Sequence, residues 1–470
     1  MIENVLLAAS GAAVGLLFST WASQILVAQL SRLDTPVVLN LVPDWSVLAF
    51  TVATTLVTAV IVGVAPALRA THVTPVSALR GPAGARPASQ SNARVTSTFL
   101  ILQVALSLIL SVAAALLVAT FGRLVHVPLG FDSERVLIAT VDTSKAAVDA
   151  ADRTQLGERL VEAVSRVPGV ESVASSSDTP LSKASQSPVM LKAERVQNAV
   201  SPRWFATYST RLRSGRDFTP QDGPGAPPVA IVNEAFARKY FVGRNALGET
   251  IEGKTIVGII EDAVYSTVRG GVRPTLYSPL AQAGDTGLSR RADVVISVRV
   301  ASGRPALLTR DLSAALTAVD PRLTFSYTPL QEFVDASVAE DRIVAGLAGL
   351  FGGLAILLTA LGLYGVTSYT VSRRRFEMGV RMALGAPRSH VLGLILARSL
   401  VLTSIGVLLG LAACVATTRY LEALLFGVAP MDPATVGAVA VVLIAVATVA
   451  ALVPAVHATR IDPLVALRTE

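Results

Sequence analysis

The sequence is short of charge, cysteine and histidine, and each shortage argues against a class of protein. Charged residues make up 16% of the 470 residues, against about 25% in soluble domains, which argues against an ordinary cytosolic enzyme. The single cysteine, Cys414, excludes a disulfide scaffold. With only four histidines, none of them clustered, no metal site is predicted. The apolar share of 52% excludes a disordered chain.

Six long stretches carry no charged residue, and each reaches the length of about 20 residues that a helix needs to cross a bilayer. A globular core could bury one such stretch but not six, so we predict six transmembrane helices. No acidic, basic or histidine side chain lies within them, which disfavours a proton- or ion-driven carrier. The stretches are 4–31, 45–68, 95–122, 343–372, 399–418 and 433–456.

The basic residues of the short connecting segments predict the orientation. Three segments on one side carry twelve arginines, and two loops on the other side carry two. The positive-inside rule places the basic side in the cytoplasm with both termini, and 123–342 outside. The net charge of +7 then reflects topology rather than nucleic-acid binding. The basic segments are 69–94, 373–398 and 457–470, and the other loops are 32–44 and 419–432.

Residues 123–342 have the composition of a soluble domain. Strand–helix–strand patterns occur at 135–174 and again at 293–327, with a section of about 180–290 between them. This arrangement predicts an α+β extracytoplasmic domain that carries an insertion.

One segment of that insertion matches a nucleotide-binding pattern. Gly248–Thr255 reads GETIEGKT, which fits the P-loop consensus G-x-x-x-x-G-K-[ST]. A P-loop needs a strand before it and a helix after it, whereas the flanking residues predict the reverse. We therefore expect a hairpin turn here, and no intrinsic ATPase, cofactor or catalytic residue in the chain.

The second and sixth apolar stretches end alike, which indicates an internal repeat. Residues 66–80 (PALRATHVTPVSALR) and 454–468 (PAVHATRIDPLVALR) are identical at eight of fifteen positions. Pairs of glycines four residues apart occupy corresponding places in the preceding helices, and this spacing lets helices pack closely. The glycines are Gly11, Gly15, Gly406 and Gly410.

A long proline-free segment leads into the fourth apolar stretch. A continuous helix over 330–372 would be about 65 Å long at ~1.5 Å per residue, so about half of it would stand outside the membrane as a stalk. The alternative is a membrane helix preceded by a separate short helix.

A basic amphipathic segment, 373–388 (RRRFEMGVRMALGAPR), follows and is ended by Gly385 and Pro387. Two interpretations are open. The segment is an interfacial helix whose arginines reach lipid headgroups, or it is a coupling helix that binds a cytoplasmic partner.

Residues 373–410 (RRRFEMGVRMALGAPRSHVLGLILARSLVLTSIGVLLG) resemble the C-terminal membrane module of MacB/FtsX-like permeases of ABC transporters. Five further motifs resemble the MacB-type periplasmic domain. They are LGFD at 129–132, PGVESV at 168–173, RSGRDF at 213–218, AIVNEAFARKYF at 230–241 and ALG at 246–248.

The resemblance implies a repeating unit of one helix, an extracytoplasmic domain and three helices. Residues 95–470 match one unit, with a transmembrane helix at 95–122, the domain at 123–342 and the FtsX-like module at 343–470. Residues 1–68 then match the last two helices of a preceding unit, joined by a basic linker at 69–94. The chain thus resembles the C-terminal part of a duplicated orphan permease.

The resemblance also implies a function, that of an inner-membrane permease subunit for efflux or extrusion. A cytoplasmic ABC ATPase in trans would hold the ATP and bind the segment 373–388. Membrane lipid, a second copy or permease half, and an envelope partner for 123–342 are the other implied partners. Two alternatives stay open, a non-transporting signalling or scaffold protein of FtsX type and a lipoprotein-releasing permease. The expected ATPase contacts are Arg373, Arg374, Arg375, Phe376, Glu377, Met378, Arg381, Met382, Leu384 and Gly385.

Overall fold

The computed structural model falls into two compact units, a helical unit (1–121 with 341–470) and an α+β domain (122–340). The structure describes 86–143, 152–182, 194–282, 293–374, 387–421 and 425–459, together with parts of 6–24, 45–57 and 378–384.

In chain order, the helices and strands are α1 (Arg86–Val125), β1 (Val136–Asp142), α2 (Asp152–Ser165), β2 (Val170–Ser176), β3 (Val196–Val200), α3 (Trp204–Tyr208), β4 (Leu212–Gly215), β5 (Val229–Asn233), α4 (Glu234–Tyr240), β6 (Thr250–Ile251), β7 (Lys254–Ile260), β8 (Thr275–Pro279), β9 (Asp293–Val300), α5 (Thr309–Val319), β10 (Thr324–Pro329), α6 (Leu330–Ser337), α7 (Ala339–Arg373), α8 (Arg388–Leu421) and α9 (Pro433–Thr459).

Four helices of the helical unit are long and apolar enough to cross a membrane. Each contains one of the predicted spans, and the apolar parts are Val95–Val125, Ala339–Arg373, Arg388–Thr417 and Pro433–His457. The predicted spans at 4–31 and 45–68 are described only in part, and a shorter apolar helix at Ala9–Phe18 belongs to the first. The first of the four helices, α1, begins at Arg86, so the end of the segment predicted as a linker is helical.

The prediction of a continuous stalk helix over 330–372 is wrong. Helix α6 ends at Ser337, and Val338 (φ −111°, ψ 6°) separates it from α7. The break follows from tertiary contacts, because the Ser337 hydroxyl accepts a hydrogen bond from the backbone N–H of Val268 (3.2 Å). Leu330 at the other end of α6 is fully buried. Helix α6 is therefore part of the α+β domain, as the alternative of a separate short helix required.

The first and last strands of the α+β domain form one half of its sheet, in the order β10–β1–β9–β2. Strand β9 lies antiparallel between β1 and β2, and β10 is antiparallel to β1. Two strand–helix–strand units, β1–α2–β2 and β9–α5–β10, thus interleave as in ferredoxin-like domains. Apolar residues of α2 and α5, among them Leu160 and Leu316, pack with Leu137 and Ile296 of the sheet. The predicted pair of units is confirmed.

The inserted section extends the same sheet in the order β3–β8–β5–β7–β4, with β6 paired to β7. Parallel pairs (β3–β8 and β5–β7) and antiparallel pairs make this half mixed. In the strand ladder, the insertion is paired with the first half at one position, Ser176 with Val200. We call the two halves the split lobe (β10, β1, β9, β2) and the inserted lobe (β3 to β8). Trp204 and Phe205 are buried in an aromatic core.

The segment that matches a P-loop is a β-hairpin. Strands β6 and β7 pair antiparallel across Glu252 and Gly253, which have left-handed φ values of 52° and 74°. Such a turn suits the twist of a two-residue hairpin. A strand follows GETIEGKT where a P-loop requires a helix, so the predicted hairpin is confirmed.

Candidate functional site

The basic segment after α7 packs one face on the helical unit. Met378 is 7% exposed and lies in a cluster with Val371, Ile395 and Ala455. Met382 packs against the same cluster. The backbone N–H of Met378 donates to the carbonyl of Arg374 (3.0 Å), which continues the helical turn beyond Arg373. We call residues 373–388 the elbow.

The other face of the elbow is exposed. Leu384 is 83% exposed. The side chains of Arg373, Arg374 and Arg381 are also exposed. Arg375, Phe376, Glu377 and Gly385 lie outside the described residues.

The second glycine pair lies at a close contact of α8 with α1. A Cβ atom at Gly406 would lie 2.7 Å from the Cβ of Val104, and one at Gly410 would lie 3.0 Å from the carbonyl oxygen of Ala105. Gly406 and Gly410 thus form the kind of contact that their spacing suggests. Gly11 and Gly15 have no atom within 4 Å of such a Cβ among the described residues.

The loop that follows α1 is clamped into the α+β domain. Gly130 has φ +78°, and a Cβ there would lie 2.1 Å from the backbone oxygen of Asp262. The carbonyl of Leu129 accepts a hydrogen bond from the N–H of Val264 (2.9 Å). Only glycine fits this backbone approach, which gives a physical reason for the LGFD motif.

Arg299 fixes the next residues of this loop from the interior of β9. Its side chain is 3% exposed and donates from Nη2 to Oδ2 of Asp132 (2.8 Å). Partial burial opposes the ionisation of Asp132, but hydrogen bonds from Arg299 and Arg135 outweigh it, and the pKa of this carboxyl falls below its ordinary value. The sequence signal for this buried ion pair is an arginine inside the apolar strand DVVISVRV.

A hydrogen bond joins the chain segment that follows α1 to the one that precedes α7. The Ser133 hydroxyl donates to Oε1 of Gln331 at 2.7 Å, although the two residues are 198 positions apart in the sequence. We call residues 129–133 with 330–337 the junction. Sequence reasoning missed the junction because nothing in the local pattern pairs these two segments.

Metal binding finds no support in the part of the chain that the structure describes. No three His, Cys, Asp or Glu side chains there are grouped so as to hold an ion.

An α+β domain inserted between membrane-length helices, with an exposed basic elbow between two of them, defines a multi-pass membrane permease with a large domain outside the bilayer. The profile of the MacB-like periplasmic core domain matches residues 102–315, and that of the FtsX-like permease C-terminal domain matches 349–463. The chain belongs to the MacB/FtsX-like permeases of ABC transporters.

Curated relatives are similar at moderate identity. The uncharacterized ABC transporter permease YvrN of Bacillus subtilis is 28% identical over 58% of this chain and 69% of its own length. The probable syringafactin export ATP-binding/permease protein SyfD of Pseudomonas syringae is 26% identical over 57% of this chain. This chain spans 41% of the length of SyfD.

A solved structure is similar to part of this chain. It is the periplasmic region of MacB from Actinobacillus actinomycetemcomitans, at 14% identity and a TM-score of 0.30, over 46% of this chain and 97% of that one.

Proposed function

We propose that this permease transmits the motion of a separate cytoplasmic ABC ATPase to its α+β domain and thereby drives efflux or extrusion. SyfD is named as an ATP-binding/permease protein, whereas YvrN is named as a permease. This difference supports a two-chain arrangement here, in which the partner holds the ATP. The twelve basic residues on one side of the membrane support a cytoplasmic elbow and an extracytoplasmic domain.

The path of transmission follows from the order of the elements. Helix α7 begins directly after the junction and ends at Arg373, where the elbow begins. Its 35 residues are about 52 Å long at ~1.5 Å per residue. A push on the elbow is therefore passed along one helix to the junction. There the clamp of Gly130 and Asp132 and the Ser133–Gln331 hydrogen bond would carry it into the sheet.

The observation that carries the proposal is the two-sided elbow. Met378 anchors it to the helical unit, while Leu384 projects with the arginines into solvent. A solely interfacial helix would need no rigid anchor on neighbouring helices. A second copy or permease half is part of the same proposal, because a complete unit supplies only four membrane helices.

The test exploits two leucines of similar exposure. Leu384 in the elbow is 83% exposed, and Leu307 in the α+β domain is 76% exposed. We expect an ABC ATPase to co-purify from native membranes with the wild-type chain and with Leu307→Glu, and to be lost from Leu384→Glu. An ATPase that is retained by Leu384→Glu contradicts the docking role. Its absence from every preparation would instead favour an interaction protein of FtsX type that transports nothing.

A further inference from the structure

The α+β domain contains a cleft of about 590 Å³ between its two lobes. One wall is formed by α2 and β2 of the split lobe, and the other by Ser201–Arg203, Thr219–Pro224 and Pro279–Ala281. Strands β2 and β3 are paired at one ladder position, Ser176 with Val200. At the inner end of the cleft the lobes are joined again by the Ser201 hydroxyl, which accepts from the N–H of Ser175 (2.9 Å).

Four prolines make much of the wall on the inserted lobe apolar. Pro202, Pro220, Pro224 and Pro279 line it together with Leu280. Proline has no N–H donor and a fixed φ, so these residues offer shape and apolar surface rather than hydrogen bonds, and we call them the proline wall. The volume lies within the range of about 300–1,000 Å³ that is usual for small-molecule sites.

The charges of the cleft are predominantly negative. Glu158 and Glu162 lie one turn apart on the same face of α2. Two other lining carboxylates are neutralised locally, since Asp222 is bound by Arg216 and Glu171 by Arg299.

Little positive charge offsets Glu158 and Glu162. Glu162 pairs with Arg166, but both side chains are largely exposed, and such pairs are weak. The one basic side chain among the described lining residues is Arg203, on the inserted lobe. Its backbone adopts a left-handed φ of 67°, a strained conformation of the kind that is concentrated at functional sites.

We propose that this cleft binds an amphiphilic cation, whose apolar body lies against the proline wall and whose amine faces Glu158 and Glu162. The assignment of a binding site rests on the cleft alone. The further statement that the bound cation is the exported compound rests on the proposed function. Binding is measured without an ATPase, and a failure of one proposal therefore leaves the other standing.

The test compares two probes with one fluorophore and opposite charge. The full chain in lipid nanodiscs is titrated with cationic dansylcadaverine and with anionic dansylglycine, and empty nanodiscs are subtracted. The cleft variant is Glu158→Gln with Glu162→Gln. The matched control, Glu134→Gln with Glu249→Gln, removes two exposed carboxylates that do not line the cleft.

We expect saturable binding of dansylcadaverine to the wild type and the control, and binding about five- to tenfold weaker in the cleft variant. Salt at 0.5 M should weaken the wild-type binding through screening, on the order of severalfold. Ala281→Trp, which narrows the cleft, should abolish binding while the circular dichroism stays unchanged.

Three results overturn the proposal. They are equal affinity of the cleft variant and the wild type, equally tight binding of dansylglycine, and undiminished binding to a folded Ala281→Trp chain.

Discussion

At the residue scale, charged side chains hold the loops of the α+β domain in place. Asp222 receives two hydrogen bonds from Arg216, at 2.7 and 2.8 Å, and further bonds from the N–H and hydroxyl of Thr219. The Arg216 hydrogen bonds outweigh desolvation and lower the pKa of Asp222 to about 2. This carboxylate therefore pins the loop that forms part of the cleft wall.

The depressed pKa predicts how Asp222 contributes to stability as the pH changes. The contribution is fully present above the unfolded pKa of about 3.9 and is lost as the pH falls through the folded value. Asp222→Asn should melt below the wild type at pH 6, and the gap should close between about pH 4 and pH 2. Trp204 reports on this domain once Trp21→Phe and Trp45→Phe remove the other two tryptophans.

The control for this experiment is Glu249→Gln, at an exposed residue. It should follow the wild type at every pH. A gap between Asp222→Asn and the wild type that stays constant down to pH 2 would show that the ion pair does not cause the difference.

At the element scale, glycines of α8 make a close contact between two membrane helices, on α1. Gly406 and Gly410 leave no room for a side chain, whereas Gly393 in the same helix has none of the described atoms within 4 Å of an added Cβ. Among the described residues, Gly406 lies at a helix interface and Gly393 does not. An added side chain should therefore affect the two positions differently.

This difference predicts opposite effects of the same substitution. Gly406→Ala should destabilise the detergent-solubilised protein by about 1–3 kcal/mol through overpacking. Gly393→Ala should leave it unchanged or stabilise it by up to ~1 kcal/mol through helix propensity. Thermal unfolding followed by size-exclusion chromatography measures both. Equal melting temperatures for the two variants would rule out the close packing at Gly406.

The hydrophobic pattern of the sequence correctly predicted those elements whose periodicity lies entirely within their own residues. The four described membrane helices, the two strand–helix–strand units and the hairpin at Glu252–Gly253 are of this kind. The prediction of a continuous stalk helix was wrong because the end of α6 is set by a hydrogen bond from Val268, 69 residues away. The junction and the strand order of the inserted lobe likewise depend on partners distant in sequence.

The elbow shows what the pattern contributes at the candidate site. Its amphipathic pattern predicted a helix with one apolar face, and Met378 and Met382 lie on the buried side. Residue type does not separate Leu384 from these methionines, since all three are apolar. Helical spacing does, because position 384 lies about 160° around a helix axis from position 382. The identity of the residues that bury Met378, among them Val391 and Ile395, depends on parts of the chain that the local pattern does not contain.

At the scale of the whole molecule, orientation is the property on which the proposed function depends. The chain has one cysteine, Cys414, buried in α8, so that a Cys414→Ala chain is a suitable background for labelling. We expect a membrane-impermeant maleimide to label Leu307→Cys in intact cells and Leu384→Cys only after permeabilisation. The reverse pattern would contradict the positive-inside assignment.

The hydrogen bond between Ser133 and Gln331 has a consequence for how such chains can diversify. A domain whose two ends meet is a cassette, because its removal leaves a gap that a short turn can bridge. Recombination at these two points would exchange one cassette for another, with its cleft intact, and leave the helices that carry it untouched. Under the proposed function, in which the cleft binds the exported compound, chains of this architecture can acquire a new specificity in a single genetic event, without altering the contacts between their membrane helices.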